Sequence, residues 1–84
     1  MDNDEIWYVY IIECRDKKLY VGIAKDVERR VALHNKGRAC RFTKYRYPVR
    51  LLYAETCLGV NSAMKRERQL KGFSRKKKVE LFNF

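Results

Sequence analysis

Residues 6–12, Ile6-Trp7-Tyr8-Val9-Tyr10-Ile11-Ile12, and residues 19–23, Leu19-Tyr20-Val21-Gly22-Ile23, decide the fold. β-branched and aromatic side chains fit a pleated, largely buried surface better than a helix, and the first run is dense enough for a central strand. The polar stretch Arg15-Asp16-Lys17-Lys18 is short enough for a turn, so the two runs read as a β-hairpin. Gly22 is expected to end or bulge the second strand.

Outward from the hairpin, helical signals take over. Asp26 suits an N-cap, residues 27–36 have helical spacing, and Gly37 supplies a stop. Val27, Arg30, Val31 and His34 share one side of that helix, because offsets of three and four return to one face. Residues 38–47, Arg-Ala-Cys-Arg-Phe-Thr-Lys-Tyr-Arg-Tyr, form an irregular basic and aromatic stretch closed by Pro48, and residues 49–57 alternate as a third strand. Asn61 or Ser62 is expected to cap another helix running to Leu70 or Lys71, with Gly72 as its break and Glu67 on the face of Ala63 and Leu70. Ser74 caps a short last helix docked through Val79 and Phe82. The order β-β-α-β-α-α, without repeats or long linkers, predicts one α+β (mixed α/β) domain over residues 1–84 with its core at about 6–82. Its sheet would be small, three-stranded, mainly antiparallel and flanked by helices.

Composition sets the partner class. Twenty Lys and Arg oppose ten Asp and Glu, a net charge of +10 on 84 residues. Residues 1–14 hold four acids and no Lys or Arg, so the remainder carries 20 basic side chains against six acidic ones. At this size only about two-thirds of the unfolded surface can be buried, which limits the chain to one core. Its 46% hydrophobic and 13% aromatic content is too high for a disordered basic tail. Cys14, Cys40 and Cys57 are odd in number and widely spaced, and with one histidine they make neither a zinc site nor a disulfide framework. That usage fits a reducing, cytoplasmic compartment. No run is long enough to span a membrane, and the acidic start lacks the basic flank of a signal peptide.

A small basic domain points to nucleic acid, since each cation that neutralises a phosphate releases counterions. Residues 38–50 interleave Phe42, Tyr45 and Tyr47 with Arg41, Lys44 and Arg46, giving cations for phosphates and rings for unpaired bases. For any single ring, anchoring the loop to the core is the commoner role. Arg75-Lys76-Lys77-Lys78 adds charge without a base-reading code. Residues 65–78 hold eight basic side chains and one acid, Glu67. Taken singly, Tyr10, Tyr20, Arg30, His34 and Glu67 each have an ordinary structural reading: cross-strand tyrosines, an Asp26–Arg30 pair, a histidine near a helix end, a Glu67–Lys71 pair.

Together they carry more. Tyr8-Val9-Tyr10 and Tyr20-Val21-Gly22, ten residues apart from tyrosine to tyrosine, resemble the signature of the GIY-YIG nuclease superfamily. Lys25 to Asn35 resembles its next helix, with an arginine ten residues after the second tyrosine and a histidine four later. Ala63 to Lys77 resembles the glutamate helix and basic tail of its small single-domain bacterial members, a type related to the amino-terminal nuclease domain of the nucleotide-excision repair nuclease subunit. This resemblance implies paired active-site tyrosines at Tyr10 and Tyr20, a close-packed Gly22, and Arg30 on the scissile phosphate. It further implies His34 assisting proton transfer or orientation, and Glu67 binding one divalent ion, Mg²⁺ or Mn²⁺. Lys25, Arg41, Lys44, Arg46, Arg75, Lys76 and Lys77 would contact nucleic acid.

The implied activity is metal-dependent endonucleolytic hydrolysis of DNA, structure-selective in repair or recombination, with RNA left open as a partner. The alternative is a non-catalytic nucleic-acid-binding module of the same fold. A tyrosine base is demanding at a reference pKa near 10, and Arg30 with the metal is expected to favour the phenolate. The sequence departs from the pattern at Tyr8, which replaces glycine, at Val21, which replaces isoleucine, and at Ile23, where some members carry lysine. A second phosphate-facing cation would then come from Lys25. Asn83 is the candidate near the carboxyl end for a supporting asparagine.

Overall fold

The computed structural model describes residues 5–83. Strand β1, Ile6–Glu13, turns into β2, Leu19–Ala24. Helix α1, Val27–Asn35, precedes β3, Arg50–Leu58, and helices α2, Val60–Lys71, and α3, Arg75–Val79, complete the order. The sheet runs β2-β1-β3 with both pairings antiparallel, so the densest apolar run is the central strand. The fold is α+β, with helices on both faces of the sheet.

Helices α1 and α3 start where a side chain satisfies a backbone donor. Asp26 accepts from the Arg29 N–H at 3.0 Å and Ser74 accepts from the Lys77 N–H at 3.1 Å. The start of α2 differs from expectation, because Gly59, not Asn61 or Ser62, is its N-cap. Gly59 stands at φ +86°, a left-handed conformation suited to glycine, and its N–H donates to the Glu5 carbonyl at 2.7 Å. That bond ties the start of α2 to the start of β1 and leaves Asn61 and Ser62 inside the first turn.

The pleat sorts the strand residues onto two faces. Val9, Ile11 and Val21 point toward α2, where they close on Ala63 and Leu70, with Phe73, Leu81 and Phe82 packed around them. Tyr10, Ile12 and Ala24 point toward α1, with Cys14, Val49, Tyr20, Val27 and Val31. Leu70 is fully buried, and burying such a side chain is worth roughly 1.5–3 kcal/mol.

Gly22 neither ends nor bulges β2. The β1–β2 register runs unbroken from Tyr8↔Ala24 to Glu13↔Leu19, with Gly22 opposite Tyr10. The irregularity falls on the other side of β1, where Ile11 faces Tyr53 but Ile12 faces Leu51. All three cysteines are free thiols. Among the described residues no helix is long and apolar enough to cross a membrane.

Candidate active site

The hairpin register places Tyr10 opposite Gly22 and Tyr20 opposite Ile12, so both tyrosines rise from one face as diagonal neighbours. Their ring centroids are 6.5 Å apart. Gly22 is required for space, because a Cβ at that position would lie 2.5 Å from Tyr10 Oη, 2.7 Å from its Cζ and 3.0 Å from Tyr20 Cε2. The glycine is the floor beneath the Tyr10 phenol.

Helix α1 brings His34 against both rings, edge-on, with centroids 5.9 Å from Tyr10 and 5.3 Å from Tyr20. His34 Nε2 is hydrogen bonded to Tyr10 Oη at 2.8 Å, and His34 Nδ1 to Thr43 Oγ1 at 2.6 Å. Arg30, one turn earlier and half-buried, acts electrostatically on both Tyr10 and His34. Among the described residues Arg30 and Asp26 form no ion pair, and Asp26 caps the helix. Glu67 comes from α2, near enough that its charge raises the pKa of both phenols. Its carboxylate pairs with Lys71 at 3.4 Å, and the Lys71 ammonium lies 6.0 Å from the Tyr20 ring centroid. Four separate elements therefore contribute to one cluster.

Burial sets the protonation of the cluster, with Arg30 acting against it at Tyr10. Arg30 does favour the Tyr10 phenolate, but burial is the larger effect and drives the pKa well above the ordinary phenol value. Tyr20 is raised too, first by burial and then by its neighbour Cys40. On the chain's own groups both tyrosines are neutral phenols. Burial, then Arg30, pulls His34 down to about 4, so its imidazole is neutral at pH 7.

Other expected residues lie around the cluster or apart from it. Lys25 pairs with Glu5 and lies 5.4 Å over the Trp7 ring. Arg46 is committed to its loop, donating to Asp16 at 3.0 Å and to the Phe42 carbonyl at 2.9 Å. Arg75 donates to the Lys17 carbonyl, and Lys77 lies over Phe73. Arg41, Lys44 and Lys76 are exposed. Asn83 is exposed beyond α3, beside Glu13, Leu19 and Arg50 and not among the tyrosine cluster.

Four further residues border the cluster, and of these the sequence reading gave Thr43 and Cys40 no part in it. Thr43 is fully buried on His34, Cys40 Sγ is 3.4 Å from Thr43 Oγ1, and Phe42 stacks on Tyr20 at 5.7 Å. Lys71 is the fourth, and its expected i,i+4 pair with Glu67 forms.

The donor set fits a hydrated hard ion. Among the described residues no three His, Cys, Asp or Glu gather into a cage. Glu67 is a single carboxylate with 23% of its side chain exposed, and Mg²⁺ is commonly held by one or two carboxylates while keeping several waters and taking substrate phosphate oxygens.

Known proteins share this arrangement of sequence and fold. The family model described as the GIY-YIG catalytic domain matches residues 6–80. The UPF0213 protein of Staphylococcus saprophyticus is 46% identical over 76 residues, covering 90% of this chain and 93% of that relative. That of Staphylococcus epidermidis is 45% identical over 74 residues, 88% of this chain and 90% of the relative. The solution NMR structure of a UPF0213 protein from Bacillus halodurans matches at TM-score 0.57 and 38% identity, over 90% of this chain and 81% of that one. A solution NMR structure from E. faecalis matches at TM-score 0.60 and 28% identity, over 96% and 88%. Motif, register and relatives agree along nearly the full length, and the chain belongs to the GIY-YIG family.

Proposed function

We propose that this protein is a metal-dependent DNA endonuclease, structure-selective in repair or recombination, with Tyr10, Tyr20, Arg30, His34 and Glu67 as its working residues. The observation that carries the reading is the convergence of two tyrosines, an arginine, a histidine and a carboxylate from β1, β2, α1 and α2 on a chain of net charge +10.

Phosphodiester hydrolysis needs an oriented water, positive charge beside the phosphate and stabilisation of the leaving oxygen. Arg30 supplies a planar guanidinium able to grip two phosphate oxygens, which a lysine would not match. Tyr10 and Tyr20, both neutral, orient by hydrogen bonding and do not act as preformed phenolates. His34 holds the Tyr10 hydroxyl. Glu67 is the carboxylate that would hold Mg²⁺ or Mn²⁺, and such an ion supplies Lewis acidity at phosphate and a more acidic water. The exposed Arg41, Lys44 and Lys76 meet the backbone, positioning the substrate without reading its sequence.

A non-catalytic module of the same fold has one observation in its favour, the Glu67–Lys71 ion pair that already occupies the carboxylate. Cleavage of branched, flapped, nicked and linear DNA with Mg²⁺ tests the enzyme reading. Persistent intact substrate across that panel, with salt-sensitive binding retained, would establish the module instead.

A further inference from the structure

Two rings hold the orientation of His34, but packing does not choose which nitrogen carries its proton. Tyr10, Tyr20, Arg30 on its own helix, and the loop residues Cys40 and Thr43 surround it, with Glu67 acting on the phenols from α2. Tyr10 is 1% exposed, His34 1% and Thr43 0%. In such a setting a proton aimed at nothing is costly, so each hydroxyl must donate to a neighbour. The Tyr10 hydroxyl has His34 Nε2 at 2.8 Å, which makes Nε2 the acceptor and places the imidazole proton on Nδ1. Nδ1–H then donates to Thr43 Oγ1 at 2.6 Å, and the Thr43 hydroxyl donates to Cys40 Sγ at 3.4 Å.

We propose that Thr43 is a positioning residue: its buried hydroxyl locks His34 in the Nδ1–H tautomer and thereby fixes the direction of the Tyr10 hydroxyl. With its proton held by Nε2, the Tyr10 oxygen turns its lone pairs toward the cluster as an acceptor. In the other tautomer Nε2–H would donate to Tyr10, whose proton would then point outward. Thr43 thus sets whether Tyr10 is an acceptor or a donor. Because Thr43 lies in the basic aromatic stretch of residues 38–47, the loop facing nucleic acid and the state of the tyrosine are mechanically one unit. The catalytic consequence rests on the nuclease reading; the tautomer does not.

His34 is the sole histidine of the chain, so ¹⁵N-histidine NMR of the intact protein at pH 7 reads it without overlap. The expected spectrum has a protonated Nδ1 and an unprotonated Nε2. A protonated Nε2, or an averaged pair, in the wild type overturns the proposal whatever the enzyme does. Thr43→Val should move the spectrum toward Nε2–H and lower kcat roughly 10- to 100-fold, the scale for outer-shell partners of a functional imidazole, with KM little changed. Thr43→Ser should restore both. Unchanged shifts in folded Thr43→Val also overturn the proposal, whereas a wild type with the Nδ1–H tautomer but no cleavage overturns only the nuclease reading and supports the lock.

Discussion

Replacing Gly22 by alanine adds one methyl group where the site has no room. Its Cβ would sit 2.5 Å from Tyr10 Oη and 2.7 Å from Cζ. Relief to ordinary contact, from 2.5 to 3.4 Å, opens the gap by about 0.9 Å, and overpacking of this kind typically costs 1–3 kcal/mol. The Tyr10 ring cannot yield freely, since it is 1% exposed and hydrogen bonded to His34 at 2.8 Å. Backbone strain plays no part, because Gly22 continues an unbroken antiparallel ladder. A shift near 1 Å at a reacting group can reduce turnover by about 100-fold. Urea unfolding should therefore show a loss of roughly 1–3 kcal/mol, and single-turnover DNA cleavage a fall of about two orders of magnitude. If Gly22→Ala keeps wild-type stability and rate, the phenol is not seated on the glycine and the site geometry is wrong.

Leu70→Ala, at a fully buried position of α2 against Val9, Ile11 and Val21, should cost about 2–5 kcal/mol in urea unfolding; a loss below 1 kcal/mol would contradict the assigned core. His34 binds its proton near pH 4 when folded but near 6.5 when unfolded, so the unfolded chain holds more protons between these values and stability falls as pH drops through that window. Its contribution amounts to a loss of about 2 kcal/mol by pH 5, which His34→Gln should remove from the pH–stability curve. Replacing both Lys76 and Lys77 by alanine should weaken DNA binding similarly for all sequences and reduce the salt slope by about 1 for each phosphate no longer neutralised. Weakening confined to one sequence would mean that these lysines read bases.

The sequence made the element order legible because its signals are local. The apolar run at 6–12, the Asp26 and Ser74 caps and the Gly37 and Gly72 stops each act within a few residues. The start of α2 was less legible, since its N-cap Gly59 has no capping side chain and is anchored by its own N–H to Glu5, more than fifty residues away. Gly22 looked like a strand breaker because its reason lies across the hairpin, under the Tyr10 ring. Motif spacing named the five clustered residues, yet it said nothing of Thr43 and Cys40, whose roles depend on a loop folding back onto α1. The Arg30 effect on Tyr10 was legible, but not the burial that outweighs it, because the degree of burial follows from tertiary packing.

The central claim is that one carboxylate, set beside two tyrosines in a strongly basic domain, makes this chain a nuclease. The most direct measurement compares purified wild type and Glu67→Gln, prepared in parallel, in single-turnover DNA cleavage with Mg²⁺ and with chelator. Wild type should cut with Mg²⁺ and stop with chelator. Glu67→Gln should bind DNA as well or better, keep its fold, and cut at least about 100-fold more slowly. Equal cleavage by the two proteins, or cleavage unaffected by chelator, would contradict the account.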